Sequence, residues 1–378
     1  MKAPAAPQGQ LSGTRSSAVY ALLLTLGVLD ASGYSLIAPV LPALAQQTGS
    51  GATEMGILVA AFPLGMIAGF AAGGRAVRRM TSAAVITGGL LLVAAGCLGF
   101  ILGTELAVFV VARLVMGVGS GCLWLGITFT TLAAWPGQEY LCTSRVFAAY
   151  SAGGLLGPLL GAVQGVRGPF AAYLVLVLAA ALPVVVLRPP SYAGALTADR
   201  RALRSRGFWA AGAGIVLAVL ALGTVEGVLP LHFGTRLTQS QIGVLYAATS
   251  VLVAVAATLA ARLTPRRALT AATVPVVAGI AAAGAGESVL VWIGALAVAG
   301  VGIGMANTGS IGVLLDAVPA QRIVTAMVLW SQIGILGYLA APALGGPVAD
   351  AYGYVAVAGV VAVAALAVPL TLGRPGRT

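Results

Sequence analysis

The chain has 378 residues, 60% of them hydrophobic and only 8% charged, with a mean hydropathy of +1.03. A soluble domain clothes its surface with about 25% charged residues, so these proportions exclude one. The net charge of +11 would suit a nucleic-acid partner, but its placement along the chain excludes that reading as well.

Residues 1–16 form a short polar tail, and twelve apolar runs follow it. They cover 17–41, 53–76, 82–103, 106–134, 146–165, 169–188, 208–232, 240–262, 268–285, 288–315, 322–346 and 353–373. Each approaches the ~20 residues that cross a hydrocarbon core. The first run is too long for a signal peptide and has no convincing cleavage site, so it is expected to remain as the first helix. Alanine, valine, leucine and glycine dominate without polar–apolar alternation, which favours helices over barrel strands. The expected fold is an all-α polytopic membrane protein with two six-helix bundles, 17–188 and 208–373. A polar loop at 189–207 joins them, and a tail follows at 374–378.

With the N-terminus inside, Lys2, Arg15, Arg75 to Arg79, Arg145, Arg188 to Arg206, Arg262 to Arg267, Arg322, Arg374 and Arg377 fall on the inner side. Only Arg167 and Arg236 fall outside. That asymmetry predicts cytoplasmic termini and contact with lipid, and leaves no footprint for nucleic acid. One lysine against nineteen arginines is the codon bias of a G+C-rich bacterial genome, so the expected site is a bacterial inner membrane. Cys97, Cys122 and Cys142 show no metal-ligand spacing and no disulfide framework.

Within the first run, "LLLTLGVLDASGYSLIAPVLP" carries Asp30 among apolar residues. The loop after the second run reads "GRAVRRMTS", with Gly74, Arg75, Arg78 and Arg79. The fourth run contains "RLVMGVGSG", with Arg113, Gly117, Gly119 and Gly121. The fifth contains "GGLLGPLLGA", with Gly153, Gly157, Pro158 and Gly161; glycines two or four apart, in the fourth run as in the fifth, are expected to form a flat stripe on which a neighbouring helix lies close, and the proline to bend its own. The seventh carries Glu226 and ends at His232, which is expected to face the surface.

The two halves echo each other. "VLP" at 40–42 recurs at 228–230, "GILVAA" at 56–61 resembles "GVLYAA" at 243–248, "GVGSG" at 117–121 matches "GVGIG" at 300–304, and "GPLLG" at 157–161 matches "APALG" at 341–345. Four features in one order at nearly one shift indicate a duplicated six-helix unit. This arrangement, with the fourth- and fifth-run motifs, resembles the major facilitator superfamily over the whole chain, and its 12-span drug/proton antiporters in particular. The loop motif departs from the family's G-x-L-A-D-R-x-G-R-R: Arg78 stands at the aspartate. In relatives that loop forms a charge latch, which here would have to borrow an acid such as Glu139 or Asp316.

The resemblance implies that spans one, four, seven and ten line a central path. Asp30, Arg113 and Glu226 sit roughly 16, 11 and 9 Å below the outer ends of their spans by helical rise. An ionisable residue at a span centre costs roughly 2.5–3.5 kcal/mol, so all three are candidates for proton coupling. A structural ion pair that fixes helix packing is the alternative. Tyr34, Met66, Trp124, Phe129, Asn307, Trp330, Gln332 and Tyr338 are candidates for a mostly apolar substrate cavity. The implied function is export of small organic molecules, cationic ones favoured by two acids, by a monomer that uses the proton gradient and no cofactor. The alternatives are a facilitator that imports a metabolite and, remotely, a membrane-embedded enzyme, for which no converging catalytic groups stand out.

Overall fold

A computed structural model describes residues 13–77, 79–135, 138–191, 205–319 and 322–372. The first half runs α1 Gly13–Ser35, α2 Ile37–Thr48, α3 Ala52–Ala76, α4 Ser82–Leu102, α5 Leu106–Ala134, α6 Glu139–Gly161 and α7 Arg167–Leu187. The second half runs α8 Arg206–Gly227, α9 Leu229–Phe233, α10 Gln239–Ala260, α11 Pro265–Ala285, α12 Val289–Ala317, α13 Ile323–Tyr352 and α14 Val357–Leu372. α1 with α2, and α8 with α9, are single bent spans, so twelve membrane-length units result. Eleven of them are long and apolar enough to cross a membrane among the described residues. Arg78 and Ala198 lie outside the described residues, and so do the chain ends at 1–12 and 373–378.

Several ends differ from the expectation. The first span continues to Thr48, where Gly49 adopts a left-handed conformation (φ 65°) and donates its N–H to Ala45 O. Glycine tolerates that geometry without a steric penalty, which makes it the stop signal here. α6 begins at Glu139 and not at 146, because a helix leaving the bilayer carries polar residues without ending. α13 runs on through Pro347 to Tyr352, and prolines inside a membrane helix are met by neighbouring groups.

The bends have a common cause. Pro39 and Pro230 lack the amide that would serve the carbonyls of Ser35 and Glu226, and each ring crowds the preceding turn. α1 accordingly breaks at Leu36 and α8 at Val228.

Two large buried cores form, and a small third one of Ala52, Val228, Ala349 and Val357. One large core draws on residues between Leu22 and Val184 with Ile335 added, the other on residues between Phe208 and Leu372 with Ala38 added. Within each, glycines set the spacing. A Cβ on Gly153, Gly157 or Gly161 would meet Ser32 N at 3.0 Å, Ser32 O at 2.7 Å and Pro39 Cδ at 3.0 Å, so all three press α6 against the first span. The "GVGSG" glycines do not share one stripe. A Cβ at Gly117 would meet Gly65 Cα at 3.0 Å and one at Gly121 would meet Gly69 Cα at 2.9 Å, both on α3; one at Gly119 would meet Val93 Cγ2 at 2.9 Å, on α4. Two residues along a helix turn about 200°, so a spacing of two addresses opposite faces. Gly74 meets nothing: a Cβ there would point into open space.

Gly157→Leu should therefore force α6 off α1. Overpacking of this kind costs about 1–3 kcal/mol. A lower thermal midpoint of the purified protein in detergent is expected, together with reduced activity at equal membrane insertion; an unchanged midpoint would refute the close contact.

The end of the bundle that carries the loops after α2, α4, α6, α9, α11 and α13 is the one that the charge pattern places outside. The cross-half hydrogen bonds of the described residues gather there, from Asp350 to Ala52 and Thr53 and from Gln239 and Ser240 to residues 161–165. Close approaches of Gly56 to Pro342, Gly234 to Pro42 and Gly346 to Ala52 join them. Ser250 Oγ donates to Gly154 O at 2.9 Å one level deeper.

Candidate functional site

The break in the first span exposes backbone carbonyls to its neighbours. Arg113 of α5 takes two of them: Nη1 donates to Gly33 O at 2.9 Å and Nη2 to Tyr34 O at 3.2 Å. Its guanidinium lies 4.6 Å from the centre of the Phe62 ring and 5.8 Å from that of Tyr34. Cation–π contact and two carbonyls thus hold a fully buried charge. The hydrogen bonds of Arg113 go to backbone and to no carboxylate, which sets aside the alternative of a direct structural ion pair. Glu226 stands within Coulombic range of it.

Along α5, Ser120 lies seven residues inward of Arg113, and along α1, Asp30 lies three residues inward of Gly33. Asp30 neighbours Ser120, whereas the hydrogen bonds of Arg113 go to the carbonyls of Gly33 and Tyr34. Asp30 is 3% exposed and Glu226 4%. Asp30 Oδ2, Glu226 Oε2, Ser120 Oγ, Tyr34 Oη and Arg113 Nε are all buried without a protein partner. Buried polar atoms are nearly always bonded, so a cluster of exceptions marks a place where other polar species act.

Aromatic rings connect the two acids. Tyr34 leans on Tyr338 of the other half at 4.3 Å between ring centres and meets Phe62 edge-on at 5.5 Å. Trp124 meets Tyr150 edge-on at 5.3 Å. Tyr150 stands within Coulombic range of both Asp30 and Glu226, the one on the N-terminal half and the other on the C-terminal half. Tyr173 donates to Leu29 O at 2.9 Å beside Asp30, and Tyr246 donates to Val225 O at 2.7 Å beside Glu226. Each acid therefore follows a carbonyl fixed by a tyrosine from another helix.

Other candidates lie elsewhere. Trp330 donates its indole N–H to Ser310 Oγ at 2.8 Å and to Ala211 O at 3.3 Å, while Ser310 also donates to Ala211 O at 2.6 Å. That polar staple ties three helices of the C-terminal half together. Met66 and Phe129 are 8% exposed, Met66 within the N-terminal core. Asn307 and Gln332 are half-buried. His232 is not at the surface as expected: it is half-buried, with Nε2 2.9 Å from Gly286 O and its ring stacked 4.7 Å from Tyr354. Arg79 is exposed, and Arg75 spends its guanidinium on Ala71 O of its own helix. Asp316, a candidate for the loop latch, is exposed.

Sequence reading missed Ser120, Tyr150, Tyr173 and Tyr246. A tyrosine in an alanine- and glycine-rich run is a usable signal, since its hydroxyl must find a partner in lipid. Which carbonyl or acid it meets is set only by packing.

The sequence profile of the Major Facilitator Superfamily matches residues 23–286, most of the chain. The chain is 31% identical over 160 residues to Multidrug resistance protein 2 of Bacillus subtilis (strain 168). That match covers 40% of this chain and 39% of the relative, about two-fifths of its length. Among solved structures, a bacterial homologue of the human lysosomal transporter Spinster, inward-facing and unoccupied, superposes with a TM-score of 0.75 at 12% identity, covering 96% of this chain and 94% of that one. A mutant of the nucleoside transporter NupG gives 0.72 at 11% identity over 93% and 98%. The human organic anion transporter MFSD10 gives 0.65 at 16% identity over 94% and 99%.

Proposed function

The chain belongs to the Major Facilitator Superfamily, a family of transporters and not of enzymes, and on that footing we propose that it is a proton-coupled exporter of small organic molecules working by alternating access. The observation that carries this reading is the pair of buried carboxylates, Asp30 and Glu226, one on each half and each with an oxygen that no protein group satisfies. A carboxylate in such a place accepts a proton when desolvated and releases it when water or a cation returns. The aromatic rings of Tyr34, Tyr338, Trp124 and Tyr150 around the acids suit amphipathic cations. The multidrug-resistance relative supports efflux over uptake.

The bundle is joined at the end that the charge bias assigns to the outside, so the proposed state is inward-facing, with both termini in the cytoplasm of a bacterial cell. Single cysteines at Ser50 and Glu287 are expected to react with an impermeant maleimide in intact cells, and one at Ala198 only after permeabilisation. Labelling of Ala198→Cys in intact cells would reverse the orientation.

The function is tested by a susceptibility panel of antibiotics and cationic dyes in an efflux-deficient host, followed by transport of the responding compounds in everted vesicles. Raised resistance and uncoupler-sensitive accumulation in everted vesicles are expected. Accumulation in right-side-out vesicles instead would identify an importer.

A further inference from the structure

The first-turn amides of a helix have no carbonyl one turn back, and its last carbonyls have no amide one turn ahead. At the outer end of this protein, both kinds of orphan group are served from the opposite half. α3 begins at Ala52, and Asp350, from the last turn of α13, accepts from Ala52 N at 3.1 Å, Thr53 N at 2.7 Å and Thr53 Oγ at 2.6 Å. Its charge also sits on the positive end of the α3 dipole. α6 ends at Gly161, and Gln239 Nε2, from the start of α10, lies 2.8 Å from Gly161 O, 2.7 Å from Val163 O and 3.0 Å from Gly165 O, so its two hydrogens are shared among the last carbonyl of α6 and two carbonyls of the loop that follows it. Its Oε1 accepts from Gly165 N at 3.0 Å, and Ser240 Oγ donates to Ala162 O at 2.8 Å.

The two places are related by the internal repeat. Setting "GILVAA" at 56 on "GVLYAA" at 243 is a shift of 187, which sets Ala52 on Gln239 and Thr53 on Ser240. One seam thus uses an acceptor on the helix that ends to serve amides; the other uses a donor on the helix that begins to serve carbonyls. Each side chain matches the polarity of the terminus it meets, and neither bond survives separation of the halves.

We propose that Asp350 and Gln239 are latches that hold the outer end closed by capping helix termini across the seam, and that their release accompanies opening. The proposal rests on the alternating-access reading, because it needs a second conformation, and is independent of transport direction, coupling and substrate. Water takes over the freed groups on opening, so each latch biases the equilibrium modestly. Asp350→Asn removes the charge and one of the two acceptor oxygens and turns an N–H toward a donor, while Gln239→Glu turns a carboxylate toward carbonyls; both keep size, the first weakening the interaction and the second reversing it.

The test uses the full chain with its three cysteines replaced and one reporter at a time. Val59→Cys lies in the outer seam against Gly227, which also faces Pro342. Ser331→Cys lies two turns inward of Tyr338 on the same face of α13, where the serine bonds its own helix at Val328 O. In either latch variant, labelling of Val59→Cys by impermeant maleimide from outside should rise about tenfold, and labelling of Ser331→Cys from inside should fall. Thr53→Val, which removes one donor, should move both in the same directions by less. A rise at both reporters would show a loosened fold and overturn the latch, as would no change at either. If a pH gradient or a transported compound moves the two reporters oppositely in the parent but the variants do not, the latch alone fails; if neither moves them oppositely, alternating access fails and the latch with it.

Discussion

In proteoliposomes of uniform orientation, Asp30→Asn is expected to abolish accumulation driven by a pH gradient while leaving substrate–substrate exchange intact. Asp30 is buried at 3% exposure, with Oδ2 unpartnered and Ser120 beside it. The amide is nearly isosteric and uncharged, so it mimics the protonated acid and removes the cost of a buried charge without disturbing the packing of α1 on α6. A protein locked in that form cannot return a proton, so net transport stops. Exchange needs no net proton movement and continues. The compound is the best responder of the susceptibility panel, and the readout is its internal concentration against time with and without the gradient. Gradient-driven accumulation equal to the parent would remove Asp30 from the coupling role. Loss of both activities would make it a substrate contact and move coupling to Glu226, for which Glu226→Gln is the matching experiment.

Arg113→Lys and Arg113→Met are both expected to fail, and the failure of lysine is the informative result. Arg113 is fully buried and divides its two terminal nitrogens between Gly33 O and Tyr34 O beside the break in the first span. A guanidinium spans two carbonyls in a fixed fork, whereas an ammonium is a point charge that serves one direction. Were Arg113 chiefly a counter-charge for Glu226, lysine would restore function. As a staple for bent backbone it must be replaced by something with the same fork, which lysine is not. Each hydrogen bond from a charged group contributes about 1.5–3 kcal/mol, so the loss should appear as a clearly lower thermal midpoint as well as lost transport. Parent-like stability and transport in Arg113→Lys would show that charge, not geometry, is what the position needs.

The spans between charged or glycine-rich loops are legible to within about a residue: 53–76 against Ala52–Ala76, and 106–134 against Leu106–Ala134. Differences arise where polar residues or prolines suggest an end that the helix does not respect. "EYLCTSR" continues α6 and "GGPVADAY" continues α13, because a helix that projects beyond hydrocarbon no longer needs an apolar sequence. Asp30, Arg113 and Glu226 stand out for the opposite reason, as ionisable groups inside apolar runs. Their partners do not.

Composition and periodicity alone determined that this chain crosses a membrane as helices in two related sets, because burial in lipid demands long uninterrupted apolar runs and a duplicated unit repeats its motifs. Tertiary structure alone decided that Arg113 meets backbone instead of an acid, that Tyr150 stands in range of both Asp30 and Glu226, that Gly119 faces away from Gly117, and that Asp350 and Gln239 reach across the seam. A side chain's partner depends on helix rotation, register and bend. Those are set by packing between residues far apart in the chain, and no local pattern around Asp350 or Gln239 records which helix terminus stands opposite.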